Sequence, residues 1–510
     1  MFRLTCRWGP AAGLLGAVFA AGCARVNPQP DYRRAAGYVG RSTGHARLFD
    51  PQQRAADAQL AQELLADGLT AEEAAQVALL SNPELQAALY EIGVARAELV
   101  QAGLLSNPSL GLALRLPSAG GLANIDFDLA QNLADLWQIP LRKKAAERNL
   151  EQTILTIARQ GARTAARAKS AYWSAVGADH RLRIARENLE VSRKILDLTR
   201  FRREAGAGSE LDVNLAHGVV LDARLAVTEA RLAAASARRA LATVLGFDGD
   251  AGALRLTETL PAPPDHAFEP RRLIDAAWTR RLDVRALQHA VGAAEQRLAL
   301  EVRRVFPTLE VGVALERDAR RRMAGRKLLA DTARSSIAAG ALSAPDIQPR
   351  SERRQAKGQD VIIGPMLSIE LPVFDQNQAR IAKAGYELEQ RLRVLEGLRR
   401  TLRQEVREAV DQAQAAWDVA RFYQREVVPQ ARKSLELSRA AYKAGRSSIL
   451  SVLDAQRSFL AARDQYAAAL QRAATAVPAL ERAVGLPLER VLEETKRSPG
   501  AAADATGAHP

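Results

Sequence analysis

Four short stretches of this chain place an apolar residue at every second position. They are Leu110, Leu112, Leu114 and Leu116; Ile125, Phe127 and Leu129; Leu309, Val311, Val313 and Leu315; and Leu367, Ile369 and Leu371. Polar residues stand between them, among them Asn124, Asp126, Asp128, Glu310, Glu316, Ser368 and Glu370. Period two predicts strands over 109–116, 124–131, 308–316 and 366–371, each with one apolar and one polar face. Their lengths approach that of a tilted membrane strand, roughly 9–11 residues. Nothing else in the chain reads as a second sheet that could cover the apolar faces. Four strands cannot close a barrel, which takes about eight. An open sheet in lipid would leave its edge N–H and C=O groups without partners. If these strands lie in a membrane, several chains must contribute to one barrel.

Between the strands the period changes to that of helices. The runs from Pro140 to Arg203, 64 residues, and from Phe374 to Lys443, 70 residues, predict rods on the order of 100 Å long. In the first run apolar residues recur by sevens in two series: Leu182, Leu189, Leu196, and Ile184, Val191, Leu198. Two residues apart, the series lie on well-separated sides of a helix. One stripe serves one neighbour; two suit a helix flanked on both sides, as in a wall of helices. Periodicity alone is equally compatible with an ordinary coiled-coil hairpin.

The pattern is duplicated. Residues 81–110 match 280–309 with Leu85 on Val284 and Pro108 on Pro307, an offset of 199. Pro140 matches Pro372 at 232, and Gly206 matches Gly445 at 239, as does Gly246 on Gly485. The first change of offset predicts a 33-residue insertion between the third and fourth strands. The second predicts seven extra residues inside a long helix, about two turns, tolerated because one heptad preserves the packing face. Each half reads helix, strand, strand, long helix, turn, helix. The turns are "AGAGSELDVNLA" at 205–216 and "AGRSSILSVLDA" at 444–455. Gly206 and Gly445 fit left-handed caps. Ser209 with Asp212 reads as a capping box, and Ser448 as an N-cap.

Composition narrows the class. Aromatics are 5% of the chain, hydrophobic residues 47% and charged residues 25%, the bias of long helices rather than of disorder. Net charge is +14, but the basic residues are scattered through helical runs, with no nucleic-acid motif. The six histidines have no metal-ligand spacing, and no catalytic constellation or cofactor motif is present. Neither an enzyme site nor a metal site is expected. The segment 317–360 carries eleven Lys/Arg against five Asp/Glu, a composition that suits contact with anionic lipid phosphates or plain disorder.

Residues 1–22 read as a secretory signal: Arg3 and Arg7, then "AAGLLGAVFAA", too short to span a bilayer. The segment ends in "AAGC" at Cys23, which resembles a bacterial lipobox with Ala20 where Leu is commoner. That makes Cys23 the candidate lipid-bearing, palmitoylated first residue. The chain divides into the signal, an anchored segment 23–68, a first repeat 69–246, a linker 247–269, a second repeat 270–486 with its inserted loop, and a tail 487–510.

Assembled, the chain resembles the TolC-like outer membrane efflux protein family, and within it the lipid-anchored outer membrane factors of tripartite pumps. The resemblance runs from about Leu69 to Leu486. It is carried by "LTAEEAAQVALLSNPEL", "LPVFDQNQARIAKA", "AGAGSELDVNLA", "YKAGRSSILSVLDAQRSFL" and "RAVGLPL". It implies a mainly α fold with a small β membrane part: a homotrimer whose protomers each give four strands to a 12-strand barrel and helical hairpins to a periplasmic tunnel. It implies a passive duct in the outer membrane, without cofactor, served by a periplasmic adaptor protein and an inner-membrane transporter of the resistance-nodulation-division type. By the same resemblance the two turns form the periplasmic tip. Ala205, Gly206, Ala207, Ala444, Gly445 and Arg446 would meet the adaptor, and Asp212, Tyr442, Ser447, Ser451 and Asp454 would line the aperture gate. Pro108, Pro140, Pro307 and Pro372 would mark the passages between barrel and helices. Ser451 stands where the best-known member has a second ring aspartate, and Ser447 where it has a gating arginine, with Arg446 one position earlier. A type I secretion or heavy-metal duct is the alternative within the class. A periplasmic coiled-coil scaffold lipoprotein is the alternative outside it, and leaves the four strands unexplained.

Overall fold

A computed structural model describes residues 25–116, 123–263, 268–305, 309–318 and 360–490. Cys23, Pro307, residues 319–359 of the basic segment and the tail after residue 490 lie outside these residues. The elements run α1 (Gln29–Thr43), α2 (Arg54–Ala66), α3 (Ala71–Ser81), α4 (Pro83–Ala102), β1 (Ser109–Arg115), β2 (Asn124–Asn132), α5 (Asp135–Glu204) and α6 (Glu210–Leu245). The second half repeats them as α7 (Pro270–Arg280), α8 (Leu282–Arg303), β3 (Leu309–Asp318), β4 (Asp360–Ile369), α9 (Gln378–Phe422), a π turn (Tyr423–Val427), α10 (Val428–Lys443) and α11 (Ile449–Val484). The chain forms two compact units.

The smaller unit, Leu99–Ala146 with Ala293–Leu388, carries one antiparallel sheet in the order β1-β2-β3-β4. Its register gathers the alternating apolar residues on one face, while Ile362 and Met366 of β4 fall on the other. Leu110 stands opposite Leu129, Leu112 opposite Phe127 and Leu114 opposite Ile125. Leu315 lies between Phe127 and Ile363, and Val313 between Leu129 and Pro365. Much of this face is exposed, with Leu112 at 73% and Ile363 at 65%. The other face brings together Gly111 and Asp128, Ala113 and Asp126, Asp126 and Glu316, and Asn132 and Glu310. Gly312 permits the close approach of β2, since a Cβ there would lie 2.3 Å from the Leu129 carbonyl oxygen.

β4 departs from its expected limits. It begins at Asp360 and ends at Ile369 rather than running 366–371. Its first half, "DVIIGP", breaks strict alternation with an Ile pair and Gly364–Pro365, so period two does not reveal it. Pro365 is tolerated because β4 is an edge strand of this sheet.

The prolines also divide. Pro108 immediately precedes β1, and Pro372 lies between β4 and α9. Pro140 sits inside α5 as its sixth residue, just past the first turn, so the helix forgoes the bond to the Leu136 carbonyl there. The start of α5 is fixed instead by Asp135, 4% exposed, which accepts from Ser106 N and Oγ at 2.6 Å and from Arg142 at 2.8 Å.

The larger unit, Met1–Glu98, Glu147–Gly292 and Glu389–Pro510, is helical among its described residues. Its duplication extends to buried polar contacts. At the junction of α3 and α4, Asn82 Nδ2 donates to the Val244 carbonyl at the end of α6. At the junction of α7 and α8, Arg281 Nη1 donates to the Ala483 carbonyl at the end of α11. Gly246 and Gly485 follow these carbonyls with φ of 69° and 84°. In the first repeat Leu69, Val77, Tyr172, Leu241 and Leu245 form the core; in the second Leu273, Val284, Val406, Leu480 and Val484 do.

The two heptad series of α5 meet different neighbours. Leu189 and Leu196 pack with Val213, Ala216 and Val220 of α6. Val191 and Leu198 pack with Tyr442, Ile449, Val452 and Leu453 of α10 and α11. A helix flanked on two sides is thus realised within one chain. The seven extra residues of the second half, however, are not a heptad within its helix. From Pro140 helix α5 runs 65 residues to Glu204, and from Gln378 the second rod runs 66 residues to Lys443. Six of the seven therefore lie in the non-helical segment Pro372–Asn377, and one is taken up along the rod, where the π turn stands.

The segment before the first repeat is packed rather than loose. Asp31 of α1, 1% exposed, receives a bidentate Arg96 at 2.6 and 2.7 Å. Glu151 of α5 binds Tyr38 and Arg34, both at 2.7 Å.

Candidate gate at the paired helical turns

Both turns are built by the same local rules. After α5, Gly206 has φ 73°; Ala207 N donates to the Arg202 carbonyl at 2.8 Å and Gly206 N to Arg203 at 2.9 Å. After α10, Gly445 has φ 71°; Arg446 N donates to the Ala441 carbonyl at 2.8 Å and Gly445 N to Tyr442 at 3.0 Å. These are paired Schellman caps, which require a residue free to adopt the left-handed region.

The helices that follow are capped differently. Ser209 Oγ accepts from Asp212 N at 3.1 Å, and Asp212 accepts from Ser209 N at 3.0 Å, a closed capping box worth about 1 kcal/mol. Ser448 occupies the equivalent N-cap without a side-chain cap bond, and Ser451, standing where Asp212 does, supplies no carboxylate to return the second bond of a capping box. Ser451 Oγ donates instead to the Ser448 carbonyl at 2.8 Å. Ser447 Oγ is buried without a partner among the described residues.

The side chains expected at the aperture are only partly brought together. Tyr442 is buried among Ile195, Val219, Ile449 and Val452. Arg446 and Asp454 are exposed, and Asp212 is engaged in its cap. Among the described residues no ion pair joins Asp212 to Arg446. The contact that ties the two turns comes from a residue the sequence did not single out. Arg202 Nη1 donates to the Tyr442 carbonyl at 2.6 Å, and its guanidinium lies 4.3 Å from the centre of the Tyr442 ring. Nη2 donates to the Ala207 carbonyl at 3.2 Å. One side chain thus spans from its own Schellman turn to the other. A charge-assisted hydrogen bond contributes about 1.5–3 kcal/mol and a cation–π contact about 0.5–2 kcal/mol. In sequence Arg202 is one more base in the last turn of a helix, where it favours the macrodipole. Its counterpart at the repeat offset is Ala441, and that asymmetry is the only local signal of a special role.

Further up the same unit, α5 and α11 are joined by polar pairs. Arg181 chelates Asp464 at 2.7 and 2.9 Å, Arg463 binds Glu187 at 2.7 Å, and Gln456 donates to Asn188 and Ser192. Among the described residues no cluster of His, Cys, Asp or Glu could hold a metal, and no helix is long and apolar enough to cross a membrane.

The model of the outer membrane efflux proteins matches residues 74–247 and 273–486, the two repeats that carry these turns. The chain belongs to the outer membrane efflux protein family. It is 24% identical over 291 residues to the pyoverdine export outer membrane protein OpmQ of Pseudomonas aeruginosa, a match covering 55% of this chain and 52% of that protein. It is 25% identical over 351 residues to the cobalt-zinc-cadmium resistance protein CzcC of Cupriavidus metallidurans, covering 68% and 73%. The chain thus spans only about half the length of the first of these relatives. Its fold is that of the outer membrane protein VceC of Vibrio cholerae, with TM-score 0.61 at 18% identity over 85% of this chain and 98% of that one. A helical tunnel with a small barrel part, TolC-like, is therefore the fold of this family member.

Proposed function

We propose that this chain is one protomer of a homotrimeric outer membrane duct in a tripartite efflux system, anchored by lipid on Cys23. The observation that carries this reading is the four-stranded sheet. Most of one face is apolar and much of it is exposed, and among the described residues β1 and β4 each lack a partner strand along one edge. Such a sheet is stable in lipid only when its edges are paired by further copies, and three copies give the 12 strands of a closed barrel. No chemistry is assigned to the chain. Cargo is delivered by an inner-membrane transporter of the resistance-nodulation-division type through a periplasmic adaptor that meets the turns at Gly206 and Gly445. The relatives' names speak of pyoverdine export and of cobalt, zinc and cadmium resistance, so the cargo class stays open between small organic molecules and metal cations.

The paired turns support a gate in which Arg202 is the latch within the chain. Arg446 and Asp454, exposed and without an ion pair among the described residues, face the adjoining protomers or the aperture. Arg202→Ala removes the tie to Tyr442 and is expected to raise single-channel conductance in planar bilayers several-fold, with the trimer intact on heat-modifiable gels. Unchanged conductance would reject the latch. A monomeric chain in soluble periplasmic fractions would reject the duct.

A further inference from the structure

The second rod is interrupted where the first is not. Between α9 and α10 the residues Tyr423–Val427 form a π turn, closed by Val428 N on the Tyr423 carbonyl. Pro429 follows directly, in the first turn of α10. Proline has no N–H for the carbonyl four residues back, and its ring clashes with that carbonyl in a regular helix. The wider π turn relieves the clash by inserting one residue, and the second rod is one residue longer than the first. The equivalent stretch of α5, residues 184–188, is unbroken helix. The π turn has no buried residue, and Gln424, Arg425, Glu426 and Pro429 are exposed. Above it the rod is anchored by Trp417 and Ala420 against Leu470 and Ala473. Below it Tyr442 is held by Arg202.

We propose that the π turn with Pro429 is a hinge, about which α10 and its turn pivot against the unbroken rod α5. The hinge combines a weakened hydrogen-bond ladder with a packed cluster on either side, the Trp417 cluster above and the Tyr442 cluster, tied to Arg202, below. This inference rests on the gate reading for its purpose, since a latch at Arg202 needs a joint that moves when it opens. Its physical content stands separately, in how readily the rod opens at residues 423–430.

Hydrogen exchange read by mass spectrometry on the full-length trimer in detergent tests it. Amides of 423–432 are expected to exchange at least about five-fold faster than those of 184–193, from the loss of one backbone hydrogen bond. Deleting Gln424 together with Pro429→Ala turns the rod into regular helix and is expected to equalise the two segments. Pro429→Ala alone restores a donor and should slow the same amides, which keeps the test open should the deletion not fold. Equal exchange of the two segments in the wild type, or no slowing in either variant, would overturn the hinge. Conductance is read in parallel. If Arg202→Ala leaves it unchanged while 423–432 still exchange fast, the latch fails and the hinge stands. If Arg202→Ala raises it and the regularised rod shows the same rise, the latch stands and the hinge has no part in opening.

Discussion

Residues at the turns show how far local chemistry reaches. Gly206, Gly445, Ser209 and Asp212 are legible because a cap is satisfied within five residues of itself. Arg202, Arg281 and Lys169 are not, because the partners that set them apart, Tyr442, Ala483, Glu72 and Glu481, lie far along the chain. Lys169 is the sharpest case. Its Nζ is buried 2.7 Å from Glu72 and 3.3 Å from Glu481. The two acids respond in opposite directions. Burial pushes Glu481 above the ordinary carboxylate range despite Lys169. Glu72 is drawn down to about 2, its partial burial outweighed by hydrogen bonds from His45 and Lys169. Glu72 remains 63% exposed, so solvent screening keeps its energetic share small. In sign, Glu72 contributes stability above pH 4.5 that is lost as pH falls towards 2. Glu481 contributes below its ordinary value and costs stability as pH rises through its raised one. Lys169→Met therefore leaves Glu481 uncompensated at neutral pH, at a cost of about 3–5 kcal/mol. At pH 5, where Glu481 takes up a proton more readily, the loss shrinks. Thermal melts of the detergent-solubilised trimer at pH 7.5 and pH 5 check this, and an equal drop in Tm at both would count against it.

At the scale of elements, hydrophobic period reads most of the architecture and misses where geometry replaces it. The two series on α5 predict two neighbours, and α6 on one side and α10 with α11 on the other supply them. The alternating strands are found, except the first half of β4, where Gly364 and Pro365 interrupt the pattern. The offset of seven is legible as a number but not as a place. A non-helical segment ending at Asn377 (φ 62°) absorbs six residues, and Asn377 Nδ2 fixes that segment by donating to Glu301. The alternation itself is testable on β1. Leu112 and Ala113 are adjacent and face opposite sides of the sheet. Leu112→Arg places a charge in lipid, at a cost of about 2–4 kcal/mol near the bilayer midplane. Ala113→Arg faces Asp126 and gains an opposite charge. The first variant is expected to lose most of its heat-modifiable outer-membrane trimer and the second to keep it. The reverse outcome would mean that the apolar face does not meet lipid.

The whole assembly multiplies what one chain places on the polar side of its sheet. Asp126, Asp128, Glu310 and Glu316 lie on that face against Arg115, so acids outnumber bases there, and the proposed trimer would repeat them three times. Asp126 and Glu316 are directly opposed across β2 and β3, an arrangement that costs energy unless a counter-charge is near. Arg115 supplies it, pairing with Asp126 from β1. Small residues surround the acids: a side chain at Gly111 would collide with the Asp128 carboxylate. With the apolar face in lipid, these acids line the barrel interior, where a low-dielectric wall focuses their field. Cations are favoured there and anions opposed. Reversal potentials across a planar bilayer with a KCl gradient measure this preference. The wild-type channel is expected to prefer potassium over chloride. Arg115→Ala should raise that preference by removing the counter-charge, and Asp128→Asn with Glu310→Gln should lower it. Because Arg115 is 70% exposed where it pairs with Asp126, its loss should cost no more than about 1 kcal/mol of pairing energy, so trimer yield stays near wild type while selectivity moves. A selectivity unmoved by both changes would place these acids outside the conduction path.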